Sequence, residues 1–172
     1  MLLIFVFGAG VFAWTLVEYV IHGVLAHSHR TFVTALHNEH HVDPHAVFAM
    51  RAWIPTGLVM LVLLAIFRMA PGMIFLLGIV AGFAGYELLH YRIHFAAPSC
   101  AAEARLRARH LAHHAAEPDA IFGVTSRIWD VVFGTEPAPE RMRELAALGG
   151  RVAPLAGQSN LARVIRSRIA AS

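Results

Sequence analysis

The chain has 172 residues, enough for one domain and too few for a second core. Apolar residues make up 58% of it and charged residues 15%, where an ordinary soluble chain carries about 25% charged, so the composition argues against a water-soluble globule and for contact with lipid. The 14 basic residues are all arginine and face 11 acids, a small excess that fits a membrane surface as well as nucleic acid and alone decides little. With the apolar content, a membrane and no nucleic-acid partner are expected, and with Cys100 as the single cysteine neither an intramolecular disulfide nor a cysteine-based metal site can form.

The first apolar stretch runs from Leu2 to about Ile21, with Glu18 near its end. At ~1.5 Å per helical residue it can cross a hydrocarbon core of ~30 Å. A signal peptide is disfavoured, because no basic segment opens the stretch and it runs into Glu18 and His22 without a small-residue cleavage site. Trp53–Phe67 and Met73–Leu89 are the second and third stretches, separated by a helix-breaking turn from Arg68 to Gly72. Both are short for independent spans and suit a tight helical hairpin that dips into or barely crosses the bilayer. If the hairpin returns to its starting face, every arginine except Arg68 lies on one side, and the positive-inside rule puts that side in the cytoplasm. Ala101–Arg109 favours helix. After Thr135 the pattern fades, and the ending LARVIRSRIAAS is either a short amphipathic helix on anionic lipid or a basic tail. The expectation is an all-α integral membrane protein, with residues 1–135 as the membrane-embedded domain and 136–172 as a basic C-terminal tail.

Twelve histidines are the unusual feature, and ten fall into four groups: His22 and His27; His37, His40 and His41; His90 and His94; His110, His113 and His114. Residues three or four apart share a helix face, so each of the last three groups can point one way. His22 and His27 are five apart, which splays their rings by ~140° on an ideal α-helix. Either the helix unwinds just past His22 or the two rings serve different ions. Imidazole suits Fe, Zn, Cu and Ni. One ion cannot use ten imidazoles, whereas two ions with four or five each can. His22 and His90 end apolar spans, so folding the hairpin back brings all four groups together beneath the membrane face, where polar residues are costly and usually functional. His29 and His45 are expected to be solvated loop residues. Glu18 lies four residues before His22 and Glu87 three before His90, each placed to accept the outer ring N–H of its histidine and fix the tautomer. Glu39, Asp43 and Glu117 read as solvated acids or caps. Tyr86, Tyr91 and Trp129 either line the site or pack as interfacial aromatics, and Asp130 either pairs with an arginine or caps the turn that follows it.

These residues resemble the fatty acid hydroxylase/sterol desaturase superfamily of membrane non-haem di-metal oxygenases. The matching features are HGVLAH (22–27), HNEHH with Pro44 (37–44), YELLHYRIH (86–94), HLAHH (110–114) and FGVTSRIWDVVFGT (122–135), and the opening and the ending are most similar to the fatty acid 2-hydroxylase branch. The resemblance implies a di-metal hydroxylase domain with a histidine-rich cap on the cytoplasmic face, ligated by the ten grouped histidines. It implies two metal ions, iron in the active enzyme with zinc an alternative in a purified form. The implied activity is that of an oxidoreductase, a monooxygenase that inserts one oxygen atom of O2 into a C–H bond of an acyl chain or similar membrane lipid. Without a Rossmann glycine pattern, electrons are expected from an external ferredoxin- or cytochrome b5-like donor with its reductase. Two positions depart from the family pattern: Ile121, where Asn is frequent, and Ala46, where an acid is.

Other readings compete. A carotenoid or sterol oxidase of the same superfamily fits the short length. A non-catalytic metal-binding or transport protein would place its ligands near the bilayer midplane on broken helices, whereas these cluster at span ends. A hydrolytic di-zinc enzyme would need a general base beside an open metal position.

Overall fold

The computed structural model describes residues 1–29, 31–45, 50–116 and 119–152, and every regular element among them is helical. In chain order these are α1 (Leu2–Tyr19), a π-helical segment (Val20–Ser28), α2 (Phe32–Val42), α3 (Met50–Ile66), α4 (Ala70–Phe95), α5 (Ala101–Ala116), α6 (Ile128–Phe133) and α7 (Pro139–Val152). Ala46, Glu117 and the LARVIRSRIAAS ending lie outside the described residues.

Helices α1 and α4 form the frame. Gly10 faces Gly78, and Trp14 packs over Gly82, so the two helices advance together and run parallel. A Cβ on Gly78 would overlap the Phe7 carbonyl oxygen, and one on Gly10 would overlap that of Phe75. Small residues let helix backbones approach closely where lipid offers no hydrophobic drive for association. Trp14 then packs at a tilt against Phe83 and Tyr86, at centroid distances of 5.1 and 5.9 Å. α3 runs back from the histidine end, and a turn through Arg68, a residue at φ 53°, starts α4 with Pro71 in its first turn.

The distribution of polarity is that of an integral membrane protein. Leu2, Ile4 and Phe5 on α1, Leu58, Val59 and Ile66 on α3, and Leu77, Val80 and Leu88 on α4 are all exposed. The buried residues instead include Glu18, Glu87, Asp130, Arg109 and most of the grouped histidines. Two segments, Leu2–Ser28 and Ala70–Phe95, are long and apolar enough to cross a membrane. The 26 residues of α4 span ~39 Å at ~1.5 Å each, more than a hydrocarbon core of ~30 Å, so the helix is long enough to cross the core with His90 and His94 in the turns left over. α4 is thus longer than the Met73–Leu89 stretch that marks it in the sequence, because its polar final turns continue the same helix.

Below the frame, α5 is tied to the end of α4. The Arg107 guanidinium donates to the carbonyls of Ile93 and Ala96, cations at a helix C-terminus being favourable. Arg92 Nε and Nη2 fork onto Glu103 at 2.7 and 3.0 Å, and Glu103 also accepts from the Ser99 N–H and hydroxyl. These donors hold the Glu103 carboxyl at about 2, below its ordinary value. Past Thr135, where the sequence pattern fades, α7 packs on α5 through Leu145, which is buried with Ala112 and Ile121.

Gly78→Val forces α1 and α4 apart and should cost about 1–3 kcal/mol, read as a lower Tm of the detergent-purified protein. Gly85→Ala on the same helix, where an added Cβ meets nothing within 4 Å, should be neutral or stabilising; equal losses at the two positions would argue against this helix crossing.

Candidate metal centre

The ten grouped histidines converge as two sets of five. One set is His22, His27, His37, His41 and His113; the other is His40, His90, His94, His110 and His114; within each, the potential donor atoms lie within 4.8 Å of one another. Each HxxHH motif is divided. On α2 the i,i+4 pair His37 and His41 joins the first set while His40 turns to the second; on α5 His110 and His114 join the second while His113 crosses to the first. The rings of His41 and His114 stack at 4.1 Å where the sets meet.

The five-residue spacing of His22 and His27 is resolved by neither route expected from an α-helix. Val20–Ser28 is wound as a π-helix, whose wider i→i+5 turn brings residues five apart much nearer to one face than an α-helix does. Both rings therefore enter the same set, with centroids 5.4 Å apart. Thr31 and Thr34 staple the start of α2 to this segment, both hydroxyls donating to the Leu25 carbonyl.

The rings meet through their Nε2 atoms. His27 and His41 each place Nε2 2.7 Å from His37 Nε2, and His22 Nε2 lies 3.1 Å from that of His113. In the second set His90, His94 and His114 place Nε2 at 2.9, 3.0 and 3.0 Å from His110 Nε2. A ring nitrogen carries one hydrogen or one lone pair and so satisfies one neighbour at most. His110 Nε2 has three and His37 Nε2 has two, so hydrogen bonding cannot account for the arrangement. Donors at right angles around an ion bound at ~2.1 Å stand about 3.0 Å apart, which is the spacing found. Both nitrogens of buried His40 also lack a hydrogen-bond partner among the described residues. The donor sets fit two metal ions of the kind imidazole prefers.

Outer contacts orient two of the rings. His22 Nδ1 donates to the Phe122 carbonyl at 2.5 Å and His113 Nδ1 to that of Ala120 at 2.8 Å. A carbonyl can only accept, so in each ring Nδ1 holds the hydrogen and Nε2 presents its lone pair inward. Burial, reinforced by neighbouring imidazoles, pushes His37, His40, His110 and His114 well below the ordinary histidine range and His41 to about 3. All five are therefore neutral, the form in which an imidazole can bind a metal.

The segment that carries those carbonyls is held by two carboxylates. Glu18 Oε1 accepts from the N–H groups of Val124 and Thr125 at 2.5 and 2.9 Å, and its other oxygen from the Thr125 hydroxyl. Asp130 accepts from the N–H groups of Phe122 and Gly123 at 2.8 and 3.0 Å, from the Thr135 hydroxyl at 2.8 Å and from Arg109 Nη2 at 3.0 Å. Asp130 thus takes both roles open to it from the sequence, and burial raises its carboxyl pKa against the pull of Arg109 and these donors. Gly123 is required there, since a Cβ would overlap the Ser126 carbonyl and approach Asp130 Oδ2 to 2.9 Å. Ile121 stands at φ 63°, left-handed backbone that Asn tolerates and a β-branched residue does not. Its side chain is 1% exposed, and that burial offsets strain of order 1–3 kcal/mol.

The bonds expected of the two glutamates are not formed. Glu18 does not reach His22, because the switch to π winding at Val20 rotates the ring off its face and the Phe122 carbonyl takes Nδ1. Its influence on His22 runs one step further out, through the loop. Glu87 is buried one turn before His90, yet His90 Nδ1 has no hydrogen-bond partner among the described residues; sharing a helix face does not bring a carboxylate to the outer edge of a ring. His29 and His45 are exposed and stand outside both sets, His45 bonding Asp43 at 3.0 Å. Tyr86 packs on the His90 ring at 5.3 Å, Trp129 Nε1 donates to Thr15 on α1, and Tyr91 faces outward beside Phe95. The sequence offered no sign of the Ala120 and Phe122 carbonyls or of Arg109; the one available signal was Asp130, an acid alone within IWDVVF.

The fatty acid hydroxylase family pattern matches residues 7–135. The chain is 34% identical to a dihydroceramide fatty acyl 2-hydroxylase of Arabidopsis thaliana across 74% of its own length and 59% of that protein. It is 32% identical to the fatty acid 2-hydroxylase of Homo sapiens, across 75% of its length and 38% of that protein. The chain therefore spans about three-fifths or less of these relatives. Among solved structures, the visible hydroxylase domain of full-length scs7p superposes with a TM-score of 0.55 at 28% identity, covering 79% of this chain and 56% of that one. With the match running from α1 through the last histidine group to the FGT turn, the chain belongs to the fatty acid hydroxylase family.

Proposed function

We propose that this protein hydroxylates a C–H bond of a fatty acyl chain, free or held in a membrane lipid, with O2 at a pair of iron ions, and that position 2 of the chain is the site, as the names of its relatives state for them. The observation that carries the reading is the pair of five-imidazole sets, with Nε2 atoms turned inward, at the end of helices whose outer surfaces are apolar. The ten histidines are the metal ligands. A di-iron pair held there supplies the activation of O2, and the overall balance is RH + O2 + 2e⁻ + 2H⁺ → ROH + H2O. The electrons come from an external ferredoxin- or cytochrome b5-like donor with its reductase.

The chain's own residues supply the setting. The carbonyls of Ala120 and Phe122 keep the His113 and His22 lone pairs aimed inward, and Glu18 and Asp130 keep those carbonyls in place. Tyr86, Trp14 and Phe83 fill the space beside His90 on the membrane side and exclude water there. The lipid-facing surfaces of α1, α3 and α4 favour a substrate that arrives from the bilayer. Among the described residues, all arginines but Arg68 belong to segments on the histidine side, which supports a cytoplasmic site.

Cells expressing the protein under 18-O2 should accumulate acyl chains with a single labelled hydroxyl at carbon 2. Label on a carotenoid or sterol instead, or no label, overturns the proposal. His40→Ala and His113→Ala should each abolish product and lower the metal content, whereas His29→Ala should leave both unchanged; equal metal in all three argues against the ligand assignment.

Acid should act in a defined direction. Unfolded histidines take up protons near ~6.5, but the buried ones stay neutral far below that, His41 to about 3. The unfolded state therefore binds more protons between these limits, and stability present above ~6.5 is lost as pH falls. Protons also compete with metal for the same nitrogens. Metal content should hold from about pH 7 to 8 and decline below about 6, with the Tm of the metal-free protein falling over the same window; a Tm that rises on acidification contradicts the buried neutral rings.

A further inference from the structure

The six-residue helix α6 (Ile128–Phe133) has its polarity reversed relative to a helix at a water surface. Its one ionisable side chain, Asp130, is fully buried, while Ile128, Val131, Val132 and Phe133 are 46%, 53%, 61% and 55% exposed. A surface helix in water turns its apolar stripe inward and its polar residues out, so this outer face has a partner other than water.

The position of α6 identifies that partner. Trp129 lies against Phe12 with ring centroids 5.8 Å apart and donates Nε1–H to the Thr15 hydroxyl at 2.8 Å, and Phe133 stacks on Tyr19 at 5.1 Å. Phe12, Thr15 and Tyr19 are successive positions along the last two turns of α1, which is part of a membrane-spanning segment. From Tyr19 back to Phe12 is ~10 Å along a helix axis, about the depth to which an interfacial helix buries its apolar face. The outer face of α6 is therefore continuous with exposed Phe12 and the lipid-facing surface of α1. Polar groups flank the helix: exposed Arg127 precedes it and approaches Glu136 at 3.7 Å, a cation suited to the headgroup layer, while Glu136 also bonds buried Arg109 of α5 at 2.7 Å.

We propose that α6 is inserted into the bilayer leaflet on the histidine side, with Ile128, Val131, Val132 and Phe133 against lipid acyl chains. Through Asp130, which bonds the Phe122 and Gly123 N–H groups from the inner face of the same helix, this insertion ties the segment that orients His22 to the membrane surface. The proposal rests on α1 as a membrane span and is independent of the reaction.

The test is a nitroxide at Val132→Cys in a Cys100→Ser background, in the full chain reconstituted into phosphatidylcholine nanodiscs. Accessibility to O2 and to chromium oxalate is read by power saturation, with Leu77→Cys on α4 as the lipid reference and Arg143→Cys on α7 as the water reference. The O2-to-chromium-oxalate ratio at 132 should match that at 77 and exceed that at 143 by about threefold or more, since an apolar face at this depth excludes a polar anion. A ratio like that at 143 overturns the proposal. So does low accessibility to both reagents with dipolar broadening between labels, which would mean that a second copy covers the face. If Val132→Cys lowers the metal content or monodispersity of the preparation, Val131→Cys gives the same reading from the neighbouring exposed position.

Discussion

An imidazole nitrogen carries one lone pair or one hydrogen, and here single Nε2 atoms are met by two or three others at hydrogen-bond distance. No assignment of protons satisfies such a set, and burial withholds water from most of its members. A cation held by each set would remove the conflict, because it can accept several lone pairs at once. The rest of the structure can be understood as what is needed to gather ten rings with their Nε2 atoms inward: helix ends that deliver them, a loop that fixes two tautomers, and an apolar slab that keeps water from one side.

The device that delivers them is economical in residues. The i,i+4 pair of each HxxHH motif serves one set and the remaining histidine serves the other, so α2 and α5 each bridge both sets. Displacing either helix would therefore disturb both sets together. The π-helical segment after α1 does the corresponding work for His22 and His27, and π turns inside helices are often found where function calls for a side chain off the α-helical register.

Two buried acids connect this arrangement to the membrane frame. Glu18 joins the end of α1 to Val124 and Thr125, and Asp130 joins α6 and Arg109 to Phe122 and Gly123. Between them they satisfy backbone donors that would otherwise be orphaned in the interior. They also hold Ile121 in left-handed backbone, with its N–H on the Thr135 carbonyl. Strain of this kind persists where the surroundings over-determine the backbone, and it sits one residue from each carbonyl that orients a histidine.

Much of this was legible from residue order alone. Apolar runs marked α1, α3 and α4, because lipid-facing helices must be apolar along their length whatever they pack against. The repeated HxxHH pattern and the histidines at span ends marked the ten rings, because three- and four-residue spacings carry geometric meaning within one helix. The partition of those rings into two sets, the π winding that unites His22 with His27, the diversion of Glu18 from its neighbouring ring to a loop over a hundred residues away, and the docking of α6 on α1 were decided only by tertiary structure. Each depends on where separate segments meet in space. Local periodicity records which residues share a face, and it holds no record of what that face will meet.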